Sequence, residues 1–193
     1  VTMRADSTYS RVYRIMHWAI ALCMLFLLLT IFLRMGWMNK QHMADIIKEY
    51  LSSESQVQLD DDQLVTLAKK IRKPMWVWHT YAGYVLVGLY SIRLLLPFFG
   101  EMKIRNPMDK TISTKEKFQF WTYIVFHICV VLSLITGLLI VWGSDAVHET
   151  AEEIHVLSIY YLLTFIFLHF GGILFEELKG NGIVSKIIGG NKS

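Results

Sequence analysis

Two histidines, His155 and His169, stand fourteen residues apart in an apolar stretch. Imidazole is a metal ligand and a proton carrier. At about 100° per residue, fourteen steps return a helix to within roughly 40° of its starting face. At about 1.5 Å per residue the two rings sit ~21 Å apart along the axis. One helix face thus offers an imidazole near each side of a bilayer whose hydrocarbon core is about 30 Å thick. Ionisable residues inside a membrane are rare and are functional by default. The chemistry open to such a pair is metal ligation at two depths.

The elements that must position them are membrane spans. The chain has 193 residues, 54% of them hydrophobic, and a mean hydropathy of +0.41. Four long apolar runs explain this: residues 12–35, 75–99, 118–142 and 154–175. Each is long enough to cross a bilayer as a helix. Trp18, Trp37, Trp76, Trp78, Trp121 and Trp142 lie near the ends of these runs and none lies mid-run, the pattern of an aromatic belt. The fold class expected is all-α, a membrane-embedded four-helix bundle forming one domain over 1–193. A net charge of +3 gives no support to nucleic-acid binding. Cys23 and Cys129 sit inside spans without metal-ligand spacing, and read as small packing residues. Arg4, Arg11 and Arg14 precede an apolar run too long for a signal peptide, so the first span reads as a retained signal anchor.

Four spans put both termini on one side. The segment between the second and third spans carries Lys103, Arg105, Lys110, Lys115 and Lys117 on that side. The opposite short loop, 143–153, has Asp145, Glu149, Glu152 and Glu153 and no Lys or Arg. The positive-inside rule places both termini in the cytoplasm. The loop 38–73 reads as two short amphipathic helices. One lies near His42–Leu51. Asp60, Asp61 and Asp62 could cap the other, which passes Leu64, Leu67 and Ile71 and stops before Pro74. About 36 residues cannot build a sizeable core, so this loop is expected on the membrane surface or against a partner. Ile183, Val184, Ile187 and Ile188 suggest a short interfacial segment near the C-terminus.

Depth then sorts the histidines. His17 starts the first span and His169 stands six residues before the end of the fourth, both on the cytoplasmic side. His79 starts the second span and His155 the fourth, both on the outer side. Two imidazoles at one level, on different helices, can take both axial positions of a b-type haem iron. An apolar bundle interior holds a flat macrocycle and excludes water. Zinc would want a third or fourth ligand, and neither level offers one at helical spacing. The plainer alternative is that each histidine is a hydrogen-bonded polar residue between helices. Gly83, one turn after His79, could let a flat ring approach the backbone or could serve helix packing, as could Gly171 and Gly172. Arg93 lies fourteen residues after His79; its partner is a haem propionate, or it snorkels to the interface. His127, near mid-membrane, reads first as packing or hydrogen bonding, with a quinone contact or substitute ligation as alternatives. His42 and His148 fall in loops.

At this point the chain resembles the bacterial cytochrome b561 family, itself similar to the cytochrome b subunits of membrane-bound nickel–iron hydrogenases. The matching pieces are Tyr9-Ser10-Arg11 running into His17-Trp18, His79 leading to Arg93-Leu94-Leu95-Leu96, and His155 with His169 at fourteen. The resemblance covers all four spans and rests on order and spacing together. It implies two haem b groups, one between His17 and His169 and one between His79 and His155. It implies a multi-pass protein of the bacterial inner membrane. The long loop before the second span and His127 depart from the family pattern.

Three functions compete. The first is transmembrane electron transfer between the quinone pool and a redox partner, either periplasmic or in the membrane. The second is a quinone-coupled superoxide oxidase, in which Lys69, Lys70, Arg72 and Lys73, just before His79, steer a small anion to the outer haem. That cluster could equally meet lipid headgroups or propionates. The third is a haem-free membrane anchor or scaffold.

Overall fold

A computed structural model describes residues 10–54, 57–100, 113–180 and 182–188. The basic residues Lys103, Arg105 and Lys110, and Tyr9 of the amino-terminal motif, lie outside the described residues. Among the described residues the structure is helical, without strands. The helices are α1 (Arg11–Met35), α2 (Lys40–Glu54), α3 (Asp61–Ile71), α4 (Lys73–Leu95), α5 (Thr114–Trp142), α6 (Asp145–Val156), α7 (Ser158–Leu178) and α8 (Ile183–Ile188), with a 3-10 turn at Leu96–Phe99 after α4.

Four stretches are long and apolar enough to cross a membrane: Arg11–Met35, Lys73–Phe99, Thr114–Trp142 and Asp145–Leu178. Of an 18-residue apolar segment in each, at most 22% is buried within the protein. Leu25, Phe26, Leu29, Phe32, Leu132 and Phe167 are among the many large apolar side chains left exposed. Such a surface requires an apolar solvent. The chain is a multi-pass membrane protein.

Local signals start and stop the helices. The Ser10 hydroxyl accepts the Tyr13 N–H at 3.1 Å, opening α1. Ser113 and Glu116 form a reciprocal capping box at the start of α5. Pro97 lies in the turn that ends α4, and Gly100 closes that turn with φ +89°, a backbone region suited to glycine.

The described residues fall into two compact units, one of those up to Trp18 together with those from Leu89 onward, and one of those from Ala19 to Gly88. In the first, α5 packs against α6 and α7, and α7 against α8. Val130, Thr136, Tyr90 and Ala151 are buried there. Lys115 pairs with Glu176 and so joins the start of α5 to the end of α7.

In the second unit α2 and α3 pack as a hairpin. Ala44, Leu64 and Ala68 form its core, with Met43, Ile47, Leu51, Leu59 and Val65 around them. Burying Leu64 contributes about 2 kcal/mol, enough to hold two short helices together though not to make a sizeable domain. Asp60 caps α3 by accepting the Gln63 N–H at 2.7 Å, while the Gln63 side chain accepts the Asp60 N–H at 3.0 Å.

The fourth span differs from its expected form. Its helix begins at Asp145, nine residues before Ile154, so the acidic segment read as a loop is mostly helix. Asp145 and Glu149 lie in its opening turns, where carboxylates favour the positive helix end. A tightened turn then separates α6 from α7: the Leu157 N–H bonds Ile154 O at 3.2 Å, and the Tyr160 N–H bonds Leu157 O at 3.1 Å. Such a turn adds roughly 20° of winding per residue. His155 lies in the last turn of α6 and His169 in α7, so the two are not on one unbroken helix.

Candidate functional site

His17 of α1 and His169 of α7 lie ring against ring, with centroids 6.1 Å apart and planes 43° apart. With metal–imidazole bonds of about 2 Å and ring centres roughly 1 Å beyond each nitrogen, two imidazoles on one iron have centroids about 6 Å apart. The spacing would suit one iron held between the two rings. Aromatic neighbours hold each ring. Tyr13 stacks on His17 at 6.5 Å, and Phe165 stacks on His169 at 5.5 Å with planes 15° apart. Arg93 of α4 is close enough to act electrostatically on His17, Tyr13, Tyr90 and His127. A positive charge at this level suits a carboxylate-bearing cofactor.

His79 of α4 is oriented by Thr30 of α1. The Thr30 hydroxyl donates its one proton to Leu27 O at 2.6 Å and lies 2.7 Å from His79 Nδ1. With its proton committed, Thr30 accepts from Nδ1–H, so Nε2 carries the ring's lone pair. Such an orienting bond fixes the tautomer of a metal ligand and raises its basicity. The Trp76 ring meets His79 edge-on at 5.5 Å.

His155 is held in the same manner from α5. Its Nδ1 lies 3.0 Å from Ser133 O, a carbonyl that can only accept. Nδ1 therefore carries the proton and Nε2 the lone pair. Thr136 Oγ1 stands 3.3 Å from the same Nδ1 and directs its own proton to Leu132 O and Ser133 O. A Cβ on Gly137 would come within 3.1 Å of His155 Cε1, so this glycine lets the ring lie against α5. At Gly83, Gly171 and Gly172 a Cβ would meet nothing within 4 Å; close packing of protein atoms does not explain those three.

His127 of α5 bonds through Nδ1 to the Tyr90 hydroxyl of α4, and Tyr90 is only 2% exposed. Hydrogen bonding, its first reading in the sequence, is what the structure shows. His42 and His148 are exposed.

The supporting residues Thr30, Ser133, Thr136, Gly137 and Tyr90 were missed in the sequence. A signal existed: a lone Thr in Leu27-Leu28-Leu29-Thr30-Ile31, and Ser133, Thr136 and Gly137 close together in another apolar run. Hydroxyls in a span need partners. Among the described residues no group of three or more His, Cys, Asp or Glu side chains gathers to hold a bare metal ion. The donor set is instead imidazoles with fixed tautomers, aromatic walls and an arginine, which fits haem.

No curated protein and no solved structure matches the chain. The family model described as prokaryotic cytochrome b561 matches residues 8–190. The chain belongs to the prokaryotic cytochrome b561 family, and is a membrane electron-transfer protein that binds b-type haem.

Proposed function

We propose that the protein conducts electrons across the bacterial inner membrane through two b-type haems, between the quinone pool and a redox partner. The observation that carries this reading is the 6.1 Å spacing of His17 and His169, two imidazoles from different helices. They would hold one haem as axial ligands, with Arg93 beside it for a propionate. His79 and His155 are assigned to the second haem by their depth along the sequence. The Nδ1 protons held by Thr30 and by Ser133 O support a ligand role for each. The open backbone at Gly83 supports close approach of a flat ring near His79.

Haem, when bound, would supply one-electron redox chemistry, and two histidines on each group would favour electron transfer over oxygen chemistry. The protein's own part is positional. Thr30, Ser133 O and Thr136 keep two imidazoles from turning. Tyr13 and Phe165 do so for the other two. The apolar spans exclude water, which keeps reorganisation small.

The positive-inside pattern supports cytoplasmic termini. A partner subunit and quinone exchange are the two ends this reading requires. The direct test is the absorption spectrum of the purified protein with haem content per chain. Sharp reduced bands and two haems per chain are expected. A colourless protein would sink the reading, as would full haem content after His17→Ala.

Quinone-coupled superoxide oxidation is the second reading. It is favoured by the cations Lys69, Lys70, Arg72 and Lys73, which line one groove. Haem reduction by superoxide, slowed when all four are neutralised, would support it.

A further inference from the structure

At the junction of α3 and α4, four cations fall within five residues: Lys69, Lys70, Arg72 and Lys73. With Thr66 and Trp76 they line a groove of about 400 Å³. A second groove of about 340 Å³ shares Lys70 and Lys73 and continues past Pro74 to Val77 and Trp78. The first groove is cationic, and the second leads from the same lysines onto the apolar flank of a membrane-length helix.

These charges are not balanced from within. Among the described residues, none of the four is in an ion pair with a carboxylate. The acids of α3, Asp61 and Asp62, are in its first turn, at the opposite end from Lys69 and Lys70. The C-terminus of α3 brings a partial negative charge of roughly half a unit, against four full positive charges.

Arg72 is half-buried, and its guanidinium donates to Met38 O at 3.4 Å, a neutral partner. Burial and the neighbouring Arg34 both push the Arg72 pKa down. Arg34 in turn lies over the Trp76 ring, 5.2 Å from its centroid. The unit thus concentrates five cations about one tryptophan.

We propose that this paired groove is a binding site for an anionic phospholipid, its phosphate held among Lys69, Lys70, Arg72 and Lys73 and its acyl chains lying over Val77 and Trp78. Three observations favour a lipid over a free anion. The groove stands where the candidate span Lys73–Phe99 begins. Val77 and Trp78 are 40% and 62% exposed, and a free phosphate would leave both uncovered. Leu67 and Ile71, one turn apart on α3, are exposed beside the lysines, so α3 presents apolar side chains beside the same bilayer edge. Basic clusters next to a span recognise anionic headgroups in this way. The inference needs only the membrane span and does not rest on the haem assignment.

The test uses the full-length protein in nanodiscs of phosphatidylcholine doped with phosphatidylglycerol or cardiolipin. Native mass spectrometry after release reads the retained lipid. Wild type should keep the anionic lipid and shed phosphatidylcholine. Lys70→Gln/Lys73→Gln should reduce retention about tenfold, while Lys70→Arg/Lys73→Arg should keep it. The changed positions, Lys69, Lys70 and Lys73, are all exposed, and an unaltered helical circular dichroism spectrum checks folding. Excess inorganic phosphate should not displace the lipid. Equal retention by the glutamine variant would overturn the proposal, and so would equal retention of phosphatidylcholine. Displacement by inorganic phosphate would reassign the groove to a free anion and overturn it too. Should the double variant misfold, Lys69→Gln and Lys70→Gln singly decide by the same readout.

Discussion

The Ser133 carbonyl and the Ser133 hydroxyl serve two different side chains: O holds His155 Nδ1 at 3.0 Å, and Oγ accepts the Tyr161 hydroxyl at 3.0 Å. The carbonyl fixes which nitrogen of His155 carries the proton. The hydroxyl ties α7 to α5 one turn and a half further on.

The four proposed ligands should separate cleanly from the fifth span histidine. Alanine at His17, His169, His79 or His155 should each remove about half of the bound haem. His127→Ala should leave both haems in place, because its Nδ1 is already bonded to Tyr90. Pyridine haemochrome quantitation of the five variants reads this out. Loss of haem in His127→Ala would reassign that residue.

Thr30→Val removes the acceptor from His79 Nδ1–H while keeping the shape of the side chain. The ring becomes a weaker donor to iron, which favours the reduced state. One haem's midpoint potential should rise by roughly 20–60 mV, the span that a hydrogen bond of about 0.5–1.5 kcal/mol allows. Redox titration of wild type and variant decides it, and an unchanged potential would remove Thr30 from the site.

Gly137→Val should displace the His155 ring, since even a Cβ there lies 3.1 Å from Cε1. The outcome expected is a broadened or lost signal from one haem with the other unaffected. Equal, intact signals from both would mean that α5 can retreat from the ring.

Tyr90→Phe leaves His127 without its hydroxyl partner inside the span. A loss of about 1–3 kcal/mol is expected from a buried group so orphaned. A lower melting temperature with unchanged haem stoichiometry would match; a missing haem would not.

The exposed pair Lys48–Asp61, 2.9 Å apart, spans the α2–α3 hairpin. Its hydrogen bond and charge hold the Asp61 carboxyl below its ordinary range and raise the Lys48 ammonium above its own. The pair's contribution is therefore present between these two ranges. It fades as pH falls through the lowered Asp61 value, and again as pH rises through the raised Lys48 value. Hydrogen exchange in α3 should lose this pH dependence in Lys48→Gln.

The four spans could be read from the chain because apolar runs of bilayer length have few other uses. The start of α3 could be read too, since Asp60 and Gln63 stand at capping-box spacing. The boundary of the fourth span could not. Residues 145–153 are polar, and a polar helix that rises from a membrane gives no periodic apolar signal. The break at Leu157 carries neither Gly nor Pro, the usual marks of one. Within the site, the ligating types stood out because imidazoles are costly in lipid. Their supports did not, because Thr30 and Ser133 act through partners that only the folded helices bring close.

Ser133 also ends a chain of contacts. From His169 the Phe165 ring is stacked at 5.5 Å, Phe126 on Phe165 at 3.6 Å, and Tyr161 meets Phe126 at 6.0 Å before reaching Ser133 and His155. A tilt of one histidine would press along this path toward the other. Assembly of the holoprotein should therefore be cooperative, with the first level to fill stiffening the frame that receives the second.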